Sequence, residues 1–340
     1  MKNTISFKIS EIAKLLNNNV LKIPPVQRGK VWNAVRVEVL WDSLLRGIPI
    51  GYLSVLPDRN NKYDLLDGQQ RCNAISMGYS DFNRESKSIL WIDLGMKSAE
   101  TEQDDNEIKH SNRRFFFRVT TQAQPWGYKL SDNETRNKTL KTYEKREAVE
   151  KIQWKPDTPK KQRPSPYELW PVDAKFPVPF TLLHQFCCEQ DQEKSFEKFW
   201  VFCEKKASQS NWFNHYNKNN MHIVNWEMLC TSISKLKDIV IIAQNVTGIS
   251  DEDVGLYFKR MNKAGVEPND AEIRYSLLKS RLPDLKQLDN LAENRMQPAR
   301  LADIAMKTYF IINSGGWQSY RRPGCRVRHV QCSCQPFSAC

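Results

Sequence analysis

The chain has 340 residues, 40% of them hydrophobic and 26% charged, with a formal net charge of +12. That length exceeds one average domain and supplies material for a sizeable core, and the composition is that of a folded chain, which excludes a disordered or fibrous protein. No stretch approaches the ~20 consecutive apolar residues of a membrane span, and Met1-Lys2-Asn3-Thr4 opens no signal-peptide core. The expectation is therefore a cytoplasmic protein without a membrane partner, its nine cysteines reduced rather than bridged. The positive charge favours a polyanionic partner such as DNA, bound through counterion release; the plainer alternative is a basic solvated surface.

Ile5 to Ile9 alternates as a short strand, and Ser10 is placed to cap a helix through Leu16. Val20 to Ile23 reads as a second strand, after which Pro24-Pro25 forces an extended entry into a loop carrying Gln27, Arg28 and Lys30 and ending at Trp32. Asn33 can cap the next helix, which runs to Arg46 with Val35, Val39, Leu40, Ser43 and Leu44 as its buried stripe and Gly47 as its stop. Gly51 to Leu56 and Tyr63 to Leu66 flank a turn at Asp58 to Asn61, the signature of a hairpin.

The stretch that follows holds the densest chemistry. Asp67-Gly68-Gln69-Gln70-Arg71 comes directly after an apolar run and leads into a helix pattern through Gly78. A strand, a glycine and a polar helix start present backbone N–H groups and a positive dipole end to an anion. Gly68 permits close backbone approach, Arg71 offers a planar fork that fits phosphate, Asp67 can orient a water or hold a metal ion, and Gln69 and Gln70 can position an oxygen without adding charge. The competing reading is a tight turn capped by Asp67, with the amides and the guanidinium solvated.

Downstream, Leu90 to Leu94 and Arg113 to Thr121 read as strands, separated by an acidic loop. Gln124 to Tyr128 is a turn, and Glu134 to Ile152 can be helical within a region of 11 Lys/Arg against 6 Asp/Glu. Four prolines between Lys155 and Pro166 mark a linker-like boundary. Helical pattern returns from Thr181, from Ser195 and from Trp226. Ile239 to Ala243 has the continuous apolar character of a buried strand, and Ser250 caps a further helix. From about Gln318 the chain turns basic, with Cys325, Cys332, Cys334 and Cys340 in a spacing that matches no standard zinc knuckle. That end reads as a disordered tail, a metal site or a truncation scar. The histidines, His110, His184, His215, His222 and His329, are scattered and are taken as structural.

Four segments in order carry a family likeness. Asp67-Gly68-Gln69-Gln70-Arg71 is joined by Ile23 to Trp32, by Trp41 to Gly51 and by Tyr257 to Pro268. In these the chain resembles the N-terminal domain of GmrSD-type, modification-dependent restriction systems, whose hallmark is the Asp-Gly-Gln-Gln-Arg motif. The resemblance implies an α+β chain. A ParB/sulfiredoxin-like mixed domain over residues 1–160 would be followed by a mainly helical region over 161–317 and a tail over 318–340. It implies that Phe258 to Gly265 returns to the phosphate site, with Arg260 and Asn262 as a second wall and Gln27 and Arg28 joining Gly68 and Arg71 around a nucleotide; the plainer reading of Arg260 and Asn262 is a helix C-terminal cap, and Arg28 and Lys30 read either as reaching a phosphate or DNA or as a solvated loop. Complete relatives carry a His-Asn-His-type nuclease downstream; no such cluster surrounds His329, so any cutter would be a separate subunit.

The resulting expectation is an NTPase module, using GTP or ATP with Mg²⁺, that gates recognition of modified phage DNA in a defence system. Asp67, Gln69, Gln70 and Arg71 would be its catalytic residues and Asp67 its metal ligand. The alternatives are a nucleotide switch that binds without hydrolysing, and a metal-dependent nuclease.

Overall fold

In the computed structural model the described residues are 4–23, 32–58, 60–80, 88–96, 113–130, 138–151, 170–187, 192–207 and 223–247, with Tyr257 and seven positions between 300 and 308. The fold is α+β. Strand β1 (Thr4–Lys8) leads through a 3-10 turn into helix α1 (Ile12–Asn17), and β2 (Leu21–Lys22) follows. Helix α2 (Ala34–Leu45), the hairpin strands β3 (Leu53–Pro57) and β4 (Tyr63–Asp67), and helix α3 (Gln69–Met77) come next. Then come β5 (Ser88–Asp93), β6 (Phe117–Thr121), α4 (Thr142–Lys151), β7 (Pro177–Pro179), α5 (Phe180–Cys187), α6 (Gln192–Ala207), α7 (Ile223–Lys235) and β8 (Val240–Asn245).

The strands form a five-stranded sheet in the order β1-β8-β3-β4-β2 and a three-stranded sheet in the order β6-β5-β7. In the larger sheet β8 pairs antiparallel with β1 and parallel with β3, while β4 pairs antiparallel with β3 and parallel with β2. Both sheets draw a strand from beyond residue 160: β8 lies between β1 and β3, and β7 lies on β5. Hydrogen bonding therefore crosses the boundary that the proline cluster marks.

Alternation decides which face of the larger sheet is inside. Leu53, Val55, Leu65, Ile241 and Ala243 join the core, while Val240 and Ile242 stand about half exposed on the other face. The continuous apolar run in β8 had pointed to burial on both faces. The strand is instead covered on one face only.

Helix α2 begins where Asn33 accepts a hydrogen bond from the Arg36 amide at 3.0 Å and ends before Gly47 at φ +71°. Ser10 does not cap α1: it lies inside the 3-10 turn, and Glu11 takes the cap position without a side-chain bond. Trp41 of α2 is fully buried and donates from Nε1 to the Ala74 carbonyl at 2.9 Å, which fixes α2 against α3. A Cβ at Gly78 would lie 2.1 Å from the Trp41 ring, so α3 must end in glycine there for the two helices to approach. The buried side of α2 is wider than the sequence stripe: Val39 and Ser43 are only half-buried, while Glu38 and Asp42 are buried. Asp42 accepts from the Arg114 and Phe115 amides, and Glu38 pairs with Arg113 at 3.3 Å. Among the described residues no helix is long and apolar enough to cross a membrane.

Candidate functional site

The Asp67 to Arg71 turn sits where β4 hands over to α3. Gly68 takes the N-cap position with φ +96° and ψ +9°, a left-handed conformation that side chains rarely adopt. A Cβ there would lie 2.3 Å from Leu53 Cδ2, so glycine is required by conformation and by space together. Asp67 does not cap the helix; no side chain does. The first-turn N–H groups of a helix have no intrahelical acceptor, and here they follow a residue with no side chain to screen them.

Arg71, one turn into α3, folds back over this start. Its Nη2 donates to Asp67 Oδ2 at 2.8 Å and its Nη1 to the Ile50 carbonyl at 3.2 Å. The pair is partly buried, with the Arg71 side chain 18% and the Asp67 side chain 26% exposed. One guanidinium thus ties the end of β4 to the entry of β3. The approach is possible because Gly51, at φ +84°, has no Cβ: one would stand 2.6 Å from Nη1.

Gln70 is tied as well. Its Oε1 accepts from the Trp32 amide at 3.3 Å. Because β2 runs parallel to β4, with Lys22 opposite Asp64, the chain leaves β2 at the same sheet edge on which the motif lies. Gln27, Arg28 and Lys30 fall outside the described residues, as do Arg260 and Asn262.

Neighbouring groups narrow the chemistry. Burial pushes the Cys72 thiol up to about 12, so the cysteine next to Arg71 is an inert core residue. Asp64 is held above the ordinary carboxylate value by burial and interacts with Lys22 and Asp58. Asp58, hydrogen-bonded to Lys22 at 2.8 Å, is lowered to about 2. Among the described residues no three His, Cys, Asp or Glu side chains gather as a metal cluster. What the turn does offer a metal is Asp67, whose Oδ1 is not used by Arg71. One carboxylate completed by phosphate oxygens and waters is a donor set that Mg²⁺ accepts.

Sequence reasoning found the motif but missed Ile50, Gly51, Leu53 and Ser54. The first supplies only a backbone carbonyl, which leaves no mark in side-chain chemistry. Gly51 did carry a signal, a glycine directly after Ile-Pro-Ile at a strand entry. Ser54 is fully buried, lies opposite Asp67 in the ladder, and its hydroxyl has no hydrogen-bond partner among the described residues.

Comparison with curated proteins and with solved structures gives no match in either case. The family model described as the GmrSD restriction endonuclease, N-terminal domain, matches residues 11–279, a range that takes in the motif, the hairpin and every strand but β1. The chain belongs to the GmrSD restriction endonuclease N-terminal domain family, and with it to the components of restriction systems.

Proposed function

We propose that the Asp67 to Arg71 turn binds the phosphates of a nucleoside triphosphate, and that the chain hydrolyses it to gate recognition of DNA. The observation that carries this reading is the left-handed Gly68 at the head of α3, with the Arg71 fork braced beside it. Phosphates would lie on the N–H groups of the first turn, where the helix dipole favours negative charge. Arg71 places a fixed positive charge at that spot, and phosphoryl transfer asks mainly for positioning and charge stabilisation. Gln69 and Gln70 would orient the attacking water. Bound Mg²⁺ would supply charge neutralisation between the phosphates, with Asp67 as its protein ligand. The Lys and Arg excess, including Arg28 and Lys30, would hold DNA, and the fold expected from the family likeness is of ParB/sulfiredoxin type. Modified phage DNA is the fitting substrate for a restriction component of this kind, with a separate His-Asn-His nuclease doing the cutting.

The test is phosphate release from GTP and ATP by the wild-type chain and by Arg71→Ala, with thermal melts of both. Turnover lost while the variant still melts cooperatively supports the role; unchanged turnover rejects it.

One feature favours a second reading. Both Nη groups of Arg71 already serve the fold. An arginine so committed can hold a phosphate cradle in shape without following charge as it develops, which is what a nucleotide switch needs. Tight nucleotide binding with no phosphate release over hours would select that reading.

A further inference from the structure

We infer that the Trp126 turn and the start of α4 form the surface that holds DNA by its phosphates, through Lys138, Lys141, Lys145 and Arg146. This rests on the proposed reading that the chain recognises DNA, and it names where the DNA lies. Between Lys129 and Glu147 the described side chains include five cations and two acids, so the balance turns on what each acid does. Glu144 is engaged within the fold. Its carboxylate pairs with Lys129 and accepts from the Lys141 amide at the head of α4, and the bond to Lys129 holds it below its ordinary pKa. An acid three positions after a helix start serves that start in this way. Glu147 is then the one acid left to set against Lys138, Lys141, Lys145 and Arg146.

These cations are held by rings, not by acids. Lys145 lies over Trp126 at 5.1 Å from the ring centroid, and Lys141 over Tyr143 at 5.9 Å. Among the described residues no carboxylate pairs with Lys138, Lys141, Lys145 or Arg146. A ring can position an ammonium without neutralising it, so the charge stays available to an anion. Trp126 is itself fixed: its Nε1 donates to Gln124 Oε1 at 3.0 Å, and its carbonyl accepts from the Val172 amide at 3.1 Å. Lys141 and Lys145 are four residues apart and so share a stripe of α4, with exposed Lys138 before it and exposed Arg146 beside it. A row of cations kept at full charge suits a partner whose own charges repeat at short, regular intervals. Duplex DNA carries one about every 1.7 Å of its axis, and each phosphate neutralised releases condensed counterions.

The test is fluorescence anisotropy of a labelled, unmodified DNA duplex on the full chain across a salt series. Lys141→Gln, Lys145→Gln and Arg146→Gln combined in one variant are expected to weaken binding by roughly ten-fold or more. The slope of log affinity against log salt should fall by up to about 3, close to one per phosphate contact removed. Arg146→Gln alone leaves both ring contacts in place and is expected to lower the slope by about 1. Lys14→Gln, Lys235→Gln and Lys237→Gln combined remove the same charge from exposed positions elsewhere and are expected to bind as wild type. The inference is overturned if both triple variants lose affinity equally, which is an effect of net charge alone, or if the α4 variants keep the wild-type slope. It is also overturned if polyglutamate displaces the duplex as well as unlabelled DNA does, since the surface would then suit any acidic chain. Those results reject this surface and leave the nucleotide site standing. A wild-type chain that binds no DNA overturns the DNA reading and the surface together, while phosphate release by the same preparation still reports on the Asp67 to Arg71 turn.

Discussion

Gly51 and Arg71 compete for one small volume. The missing Cβ of Gly51 would stand 2.6 Å from Arg71 Nη1, so the glycine is what allows the guanidinium to reach the Ile50 carbonyl. Gly47, four residues earlier, is also left-handed at φ +71° but has nothing within 4 Å of its would-be Cβ. The two positions separate strain from displacement. Gly47→Ala is expected to cost about 1–2 kcal/mol of stability through backbone strain and to leave nucleotide binding unchanged. Gly51→Ala carries the same strain and also evicts Arg71, so it is expected to weaken nucleotide binding as well. Calorimetric titration of both variants checks this; equal affinity in the two would remove Arg71 placement as the purpose of Gly51.

The Trp32–Gln70 contact carries a prediction for the entry of α2. The Trp32 amide donates to Gln70 Oε1 at 3.3 Å, which ties the entry of α2 to α3. Gln70→Ala is expected to speed amide exchange at Trp32, with a fall in global stability of no more than about 1 kcal/mol, the usual net worth of one such bond. Hydrogen exchange by mass spectrometry reads it. Exchange as slow as in wild type would mean that the Trp32 amide is protected by other contacts.

Much of this was legible in the sequence, for identifiable reasons. Helix α2 is bounded by a capping asparagine and a glycine stop, and the β3–β4 hairpin by a turn containing Asp58, Asn60 and Asn61, so local chemistry dictates both. The motif itself stood out because polar, charged and glycine residues meet an apolar strand with no spacer. What stayed hidden depends on distant residues. The place of β8 between β1 and β3 is a long-range pairing that no local pattern encodes. The acid residues of α2 look like a solvent face until Arg113 and the Arg114 and Phe115 amides arrive from over seventy residues away. The partner of Arg71 is partly a backbone carbonyl, and carbonyls are present at every residue.

Those buried charges set a third expectation. Glu38 and Arg113 are both about 3% exposed and paired at 3.3 Å. Burial pushes the Glu38 carboxyl upward while Arg118 and Arg113 pull it back down. Removing one partner leaves a charge without compensation in the interior, so Glu38→Ala is expected to lose about 3–5 kcal/mol. Replacing both, Glu38→Met with Arg113→Met, should cost markedly less, because no charge is stranded. Urea midpoints of the single and double variants decide the matter; a double variant as unstable as the single one would show that packing, not charge, holds this junction.

His184 gives the fold a pH dependence of known sign. The ring packs on Tyr79 and Phe180 at 5.2 and 5.0 Å, and burial lowers its pKa below the ordinary 6.5, with a hydrogen bond to the Gly78 backbone opposing that shift. The folded state therefore prefers the neutral ring. As pH falls below about 6.5 the unfolded chain takes up a proton that the folded chain resists. The associated stability is whole above that pH and declines below it, by at most about 1.4 kcal/mol per pH unit. His184→Gln is expected to flatten the change in melting temperature between pH 7.5 and pH 5. A slope equal to that of wild type would assign the acid sensitivity to other groups.

Ser54 links stability to the site. Its hydroxyl is buried opposite Asp67 and lacks a hydrogen-bond partner among the described residues. An unpaired buried hydroxyl costs the free energy of its lost hydration, about 1–3 kcal/mol. A core position that served packing alone would do better with alanine. Ser54→Ala is therefore expected to raise the melting temperature of the free protein. If the hydroxyl is kept for a ligand seated at the head of α3, the same variant should bind nucleotide more weakly than wild type despite being more stable, since the group that the ligand would have satisfied is gone. A variant that is both more stable and equally tight would mark Ser54 as a residue without a part in the site, and would move the search for the remaining phosphate ligands to the 24–31 segment.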